Sequence, residues 1–290
     1  MVEVKDYASP ARPTWCTGCG NFGIWNAVKK ALAEAGLAPH EVMIVSGIGC
    51  GSKLPDYTTA NGLLTLHGRT LAVATGARLA NHGLKVICTH GDGDGYGEGG
   101  NHFVSAVRRN IGIVDVVQNN RVYGLTKGQY SPTSPQGFVT KTSPQGAIEQ
   151  MFYPLATAVS AGGTFISRGW SGDIEHLTWL IKEALSHRGY ALVDVLQPCV
   201  SFNRMYSYDW LRPRVYKVQD EPGYNTSDKM AAFVKAQEWG DRIPIGILYR
   251  TESQPAYEEL VPALAAGPLV KQPLRNRPLQ EYEALKQEYL

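Results

Sequence analysis

A chain of 290 residues has room for one large α/β domain with an extension or for about two domains of roughly 150 residues, and 43% apolar residues against 19% charged ones exclude wholesale disorder. Its 28 basic and 26 acidic residues leave a formal charge of +2, too small a field for gripping a nucleic-acid backbone. No run approaches the ~18 apolar residues of a membrane span, and the opening MVEVKDYASPARPTW lacks the apolar stretch of a signal peptide, so the expectation is a cytoplasmic protein with neither membrane nor nucleic acid as partner.

The predicted elements alternate. A helix near 21 to 35 follows the segment WCTGCG, and the first β-branched run, EVMIVSG, spans 41 to 47. Helices are expected near 70 to 82, 99 to 110, 145 to 161 and 173 to 187. Between them lie LKVICTH (84 to 90), GIVDVVQ (112 to 118), GTFISRG (163 to 169) and ALVDVLQ (191 to 197). These runs are apolar almost throughout, as strands covered on both faces must be, so the fold class is α/β: a mostly parallel sheet with helices on both faces. Residues 123 to 143, rich in Gly, Pro, Ser and Thr, read as a long functional loop. After Cys199 the texture becomes aromatic and basic, with one clear strand, IPIGILYR (243 to 250), and a charged helix in QEYEALKQEYL. The division expected is a ligand-binding domain over 1–200 and a C-terminal extension over 201–290, either a small lobe on the sheet or an arm covering a partner.

LKVICTH runs straight into Gly91-Asp92-Gly93-Asp94-Gly95-Tyr96-Gly97. Glycines at a strand-to-helix turn expose amides, and the helix N-terminus adds partial positive charge, which together suit a diphosphate. Asp92 would repel that anion unless a hard cation lay between them, and magnesium is the natural bridge. Gly95-x-Gly97-x-x-Gly100 also matches a dinucleotide fingerprint with Asp115 as the ribose acid, but Asp115 falls inside a strand rather than at its end. Twenty-five residues, 94 to 118, separate Gly93 from Asn119-Asn120 at the end of the next strand. One crossover of that length brings Asp92 and Asn120 to neighbouring strand ends. This pattern resembles the thiamine diphosphate enzymes; by that resemblance Asp92, the Asn120 side chain and the Val122 carbonyl hold the ion, with Gly91 and Gly93 beside the diphosphate.

Five cysteines in a reducing compartment are better metal ligands or core residues than disulfides. Cys16 and Cys19 stand two residues apart before a helix, while Cys50 and Cys199 each follow a strand. Four thiolates gathered there suit a cubane iron-sulfur cluster or a structural zinc, and spacing does not separate the two. Cys88, in VICTH, reads as a buried small hydrophobe.

In WCTGCG, GIGCG, LHGR, GDGDGYGEGGNHF, NNRVYGLTKGQ and the late Cys199, residues 12 to about 205 closely resemble the β subunit of the 2-oxoacid:ferredoxin oxidoreductases. The resemblance implies thiamine diphosphate, Mg2+ and one [4Fe-4S] cluster on Cys16, Cys19, Cys50 and Cys199. The positions it marks for cofactor contact are Ile48, Gly49, Ser52, His67, Gly91, Asp92, Gly93, Asp94, Asn120, Tyr123, Gly124, Leu125 and Thr126. The implied reaction is oxidative decarboxylation of a 2-oxoacid, with coenzyme A taking the acyl group and electrons leaving through the cluster to ferredoxin, or the reverse carboxylation. Lys53 and Lys127 are the cations expected to meet a substrate carboxylate, and Lys53 favours 2-oxoglutarate over pyruvate. Glu98, in GYGEGG, departs from the apolar residue of many relatives and is expected to alter local packing without touching a ligand. No acid is placed to activate the aminopyrimidine, so the chain is expected to need an α subunit, in a heterodimer or a dimer of heterodimers. Two readings compete: a non-oxidative decarboxylase or carboligase with structural zinc, and an electron-transfer module without thiamine, which leaves the Asp92 to Asn120 spacing unexplained.

Overall fold

All five apolar runs between 41 and 197 form strands: β1 (Val42–Ser46), β3 (Lys85–Gly91), β4 (Ile113–Asn119), β5 (Phe165–Trp170) and β6 (Ala191–Leu196). The structure is a computed structural model and describes residues 2–272 and 278–289. Three further strands, β2 (Asn61–Leu64), β7 (Val215–Lys217) and β8 (Ile243–Arg250), complete a sheet in the order β2-β1-β3-β4-β6-β5-β8-β7. Strands β1 to β6 run parallel, and β8 runs antiparallel to β5. The two short strands lack the apolar pattern of the others: all of β2 is exposed, and β7 is three residues long.

The pleat sends alternate side chains to opposite faces, and both are covered. On β4, Val114 and Val116 join a core layer with α1 (Asn21–Glu34) and α5 (Ile174–Ser186). Ile113 and Val117 join another with α2 (Thr70–Ala80), α3 (Gly100–Arg109), α4 (Pro154–Ser160) and α7 (Lys229–Gln237). Each fully buried Leu, Ile or Phe in these layers contributes about 1.5–3 kcal/mol, which holds the strand ends in fixed places. Asp173 caps α5, its carboxylate accepting the His176 amide at 3.0 Å, and α3 stops where Asn110 turns left-handed at φ 52°.

The helix expected over 145 to 161 is much shorter. Gly146 is left-handed (φ 90°), Ala147 exchanges backbone hydrogen bonds with Gly137 and Phe138, and only at Pro154, a favoured first helical position, does α4 begin. Beyond Cys199 the chain adds more than the single expected strand: α6 (Tyr208–Leu211), β7 and α7 precede β8, and α8 (Leu279–Gln287) follows. Ile243 and Ile245 of β8 pack with Trp170, Leu196 and Leu211, so this segment builds directly onto the sheet. Leu290, the end of the expected tail helix, lies outside the described residues.

Candidate functional site at four strand ends

Strands β1, β3, β4 and β6 are consecutive neighbours, and the turns leaving their carboxyl ends carry Cys50, Asp92, Asn120 and Cys199. Open parallel sheets bind ligands in that crevice. After β3 the chain enters a π-type turn, Gly93–Glu98, closed by a bond from the Gly99 amide to the Asp94 carbonyl at 2.8 Å; α3 starts only at Gly100.

Asp92 is fully buried. Its Oδ2 accepts hydroxyls from Ser131 at 2.5 Å and Thr133 at 2.6 Å, whereas Oδ1 accepts only the Asn120 amide at 3.3 Å. Burial pushes this carboxyl above its ordinary value, against the pull of the two hydroxyls. Asn120 Oδ1 accepts the Val122 amide at 3.0 Å and keeps a second lone pair. Two oxygens with spare lone pairs, one on a carboxylate that burial leaves short of compensation, fit a hard cation.

A cavity opens beside them. It is lined by Ile48, Gly49, Cys50 and Gly51 after β1, by Gly91 to Asp94 after β3, by Asn120 and Val122 to Thr126 after β4, and by His67. Asp94 braces this wall: its Oδ1 accepts the amides of Ile48 (3.1 Å) and Gly68 (2.8 Å) and lies 3.0 Å from His67 Nδ1, while Oδ2 accepts Thr70 Oγ1 at 3.2 Å. Burial alone would raise the Asp94 carboxyl, but His90 and the two amides outweigh it and hold it below the ordinary value.

Every expected cofactor contact lines this cavity except Ser52, which is buried behind it at 4% exposure. Glu98 packs against this wall: its carboxylate lies 3.2 Å from the Tyr123 hydroxyl and 3.3 Å from His67 Nδ1, two residues that line the cavity. Asp115 is wholly buried and receives the Tyr190 hydroxyl and meets His90 Nε2, each at 2.6 Å, leaving it no path to a ribose.

A second cavity gathers Cys16, Cys19, Cys50 and Cys199, and both Lys53 and Lys127 line it. Trp15 Nε1 donates to the Cys50 carbonyl at 2.7 Å, Gln197 Nε2 to Cys19 Sγ at 3.3 Å and Ser201 Oγ to Cys16 Sγ at 3.1 Å. Burial, with the other three cysteines adding to it, pushes the Cys19 thiol up to about 12. Burial and the nearby Cys199 and Cys16 likewise raise Cys50. Among the described residues no three His, Cys, Asp or Glu side chains stand close enough to share one ion. Lys53 Nζ donates to Thr14 Oγ1 at 3.1 Å. Cys88 stands apart, fully buried in the α2/α3 layer.

The two cavities share Cys50, Asn120, Gly124 and Leu125. A methyl group at Gly124 would lie 3.7 Å from Cys199 Sγ and 3.9 Å from both Cys50 Sγ and Asn120 Nδ2, so that glycine marks their meeting point. Sequence reasoning missed Ser131, Thr133 and Asn203. The first two had a signal in the polar run SPTS of the long loop; Asn203, whose Nδ2 donates to the Asn120 carbonyl at 2.8 Å, had none.

Residues 42–195 match the family of the thiamine pyrophosphate enzyme, C-terminal TPP binding domain, and residues 199–266 match the family of the C-terminal region of the pyruvate ferredoxin oxidoreductase beta subunit. The chain is 47% identical over 258 residues to the 2-oxoacid:ferredoxin oxidoreductase subunit beta of Saccharolobus solfataricus, covering 85% of each chain. It is 44% identical over 220 residues to the 2-oxoglutarate oxidoreductase subunit KorB of Mycobacterium tuberculosis, covering 74% of this chain and 59% of that one. It superposes with a TM-score of 0.89 and 36% identity on the 2-oxoglutarate:ferredoxin oxidoreductase from Magnetococcus marinus with 2-oxoglutarate, coenzyme A and succinyl-CoA bound, over 98% of this chain and 96% of that one. With the strand-end geometry and these likenesses together, the chain belongs to the β subunits of the 2-oxoacid:ferredoxin oxidoreductases.

Proposed function

We propose that this chain holds thiamine diphosphate through Mg2+ beside a [4Fe-4S] cluster and, with an α subunit, oxidatively decarboxylates 2-oxoglutarate in preference to pyruvate, passing the acyl group to coenzyme A and electrons to ferredoxin. The observation that carries the reading is the shared wall of the two cavities at Cys50, Asn120, Gly124 and Leu125. Asp92 and Asn120, with the Val122 carbonyl, would hold the ion, and Gly91 and Gly93 would face the diphosphate. When bound, thiamine diphosphate supplies a carbon nucleophile with an electron sink, and the cluster supplies a one-electron acceptor.

This chain's residues do the positioning. Asp94 ties the amides of Ile48 and Gly68 and the ring of His67 into one wall of the cofactor cavity. Four cysteine sulfurs lining one cavity suit a zinc ion as well as the corners of a cubane. The likeness to proteins named 2-oxoacid:ferredoxin and 2-oxoglutarate:ferredoxin oxidoreductase favours the cluster over the zinc-bearing decarboxylase. Lys53 and Lys127 line the thiol cavity and would be the cations that meet a dicarboxylate's far end. The acids lining the cofactor cavity, Asp92 and Asp94, are both engaged, which supports an α subunit as the source of the group that activates the aminopyrimidine. The name of the Magnetococcus marinus relative and the ligands in its structure support 2-oxoglutarate and coenzyme A.

The test is anaerobic purification with the co-expressed partner and a visible spectrum recorded while 2-oxoglutarate or pyruvate is added with coenzyme A. Bleaching of the cluster absorption by 2-oxoglutarate at the lower concentration is expected. A preparation with no such absorption, or one bleached by pyruvate alone, would overturn the assignment.

A further inference from the structure

The turn that carries Asn120 is held from outside the sheet by the segment after Cys199. Arg121, next to Asn120, has a left-handed backbone (φ 60°), a conformation that residues with side chains adopt rarely. Its guanidinium lies 3.3 Å above the ring centre of Trp239 and 4.9 Å from that of Tyr206, with Nη1 donating to Met151 Sδ at 3.0 Å. Ser134 Oγ donates to the Arg121 carbonyl at 2.7 Å. These contacts fix where Arg121 points but leave the preceding peptide unsecured.

Asn203 secures it. The side chain is 2% exposed, its Nδ2 donates to the Asn120 carbonyl at 2.8 Å, and its own amide donates to the Cys199 carbonyl at 3.1 Å. Its Oδ1 is buried without a hydrogen-bond partner, so the amide is retained for what its nitrogen does. Two hydrogen bonds thus connect the peptide of a cysteine in the thiol cavity to the peptide of Asn120, which also lines the cofactor cavity. The Asn120 side chain follows its own backbone, because Oδ1 is pinned to the Val122 amide within the same turn.

We propose that Asn203 is a positioning residue that transmits the seating of Cys199 to Asn120, so that occupancy of the thiol site tightens binding of the Mg2+–thiamine diphosphate pair. The inference rests on the reading that Asp92 and Asn120 hold that pair. An occupied thiol site fixes the Cys199 peptide, the fixed peptide orients Asn203, and Asn203 orients the Asn120 carbonyl. By linkage the effect is reciprocal: bound cofactor stabilises the occupied thiol site by the same factor.

The test uses the complex purified anaerobically with its partner subunit, with the thiol site loaded or stripped by an iron chelator. Thiamine diphosphate is titrated with Mg2+ present and with Mg2+ removed while tryptophan fluorescence is followed. The wild type is expected to bind more tightly when loaded. Asn203→Ala, which removes the donor to a part-buried carbonyl, is expected to bind roughly tenfold more weakly and to respond no longer to loading, with its visible spectrum unchanged. Asn203→Asp keeps the volume, removes the donor and gives the same result, so the test stands if Asn203→Ala fails to fold. Equal affinity in wild type and both variants, or a variant that keeps the wild-type response to loading, overturns the inference while leaving the cofactor site intact. Wild-type binding that ignores Mg2+ overturns the cofactor reading and this inference with it.

Discussion

A side-chain methyl at Gly47 would collide with the Asp94 carboxylate and with Thr70 Oγ1, although neither residue is near it in sequence. Gly47→Ala is therefore expected to displace Asp94 from the amides of Ile48 and Gly68, weakening thiamine diphosphate binding and lowering the thermal midpoint together. Asp92→Ala acts differently. It removes the oxygen placed for the cation, and Mg2+-dependent cofactor binding should weaken by more than the roughly 10- to 100-fold typical of an outer-shell partner, which Thr133→Val represents. A calorimetric titration in which Thr133→Val lost as much as Asp92→Ala would contradict that ranking. Asp92 and Asn120 were legible because both stand at strand ends, where spacing along the chain translates directly into proximity. The braces were not: Thr133 and Asp92 are separated by 41 positions, with α3 and β4 between them, and Asn203 and Asn120 by 83. The polar run SPTS marked Thr133 as a polar candidate, but nothing local encodes which distant residue such a side chain reaches.

At the scale of elements, the parallel strands announced themselves because burial on both faces demands unbroken apolar runs. Strand β2 faces solvent at every position and left no such trace, and the stretch 145 to 153 imitated a helix through Ile148, Met151 and Phe152 although Gly146 and Pro154 prevent one. Packing, more than propensity, holds the site's frame. Leu180 of α5 is wholly buried against the sheet face that also carries Val116 and Val193. Leu180→Ala should cost about 2–5 kcal/mol in denaturant unfolding. Loss of less than about 1 kcal/mol would mean that this layer collapses around the gap.

For the whole molecule, His176 is one of the groups that weaken the fold in acid, alongside His187, which burial likewise lowers. His176 is buried in α5 with both ring nitrogens unpartnered; burial, with Lys217 adding to it, lowers it to about 4, while Asp173 and Asp220 pull the other way. The unfolded chain takes up this proton near pH 6.5 but the folded chain only near 4. Between those values the unfolded state binds more protons, so stability falls as pH drops from about 6.5 to about 4. Melting curves across that window should show the decline, and His176→Gln should flatten it; an unchanged slope in the variant would assign the decline to other groups. Among the described residues no helix is long and apolar enough to cross a membrane.

The outer rim of the sheet carries a practical warning. Strand β2 has a neighbour on one side only, and Leu64 and Leu66 are 64% and 77% exposed next to its open row of amides and carbonyls. A chain synthesised without a companion to cover that rim offers a template on which other chains can stack. Light scattering of the isolated chain should rise with concentration, and Leu64→Lys, which puts a charge on the rim, should suppress the rise without disturbing either cavity.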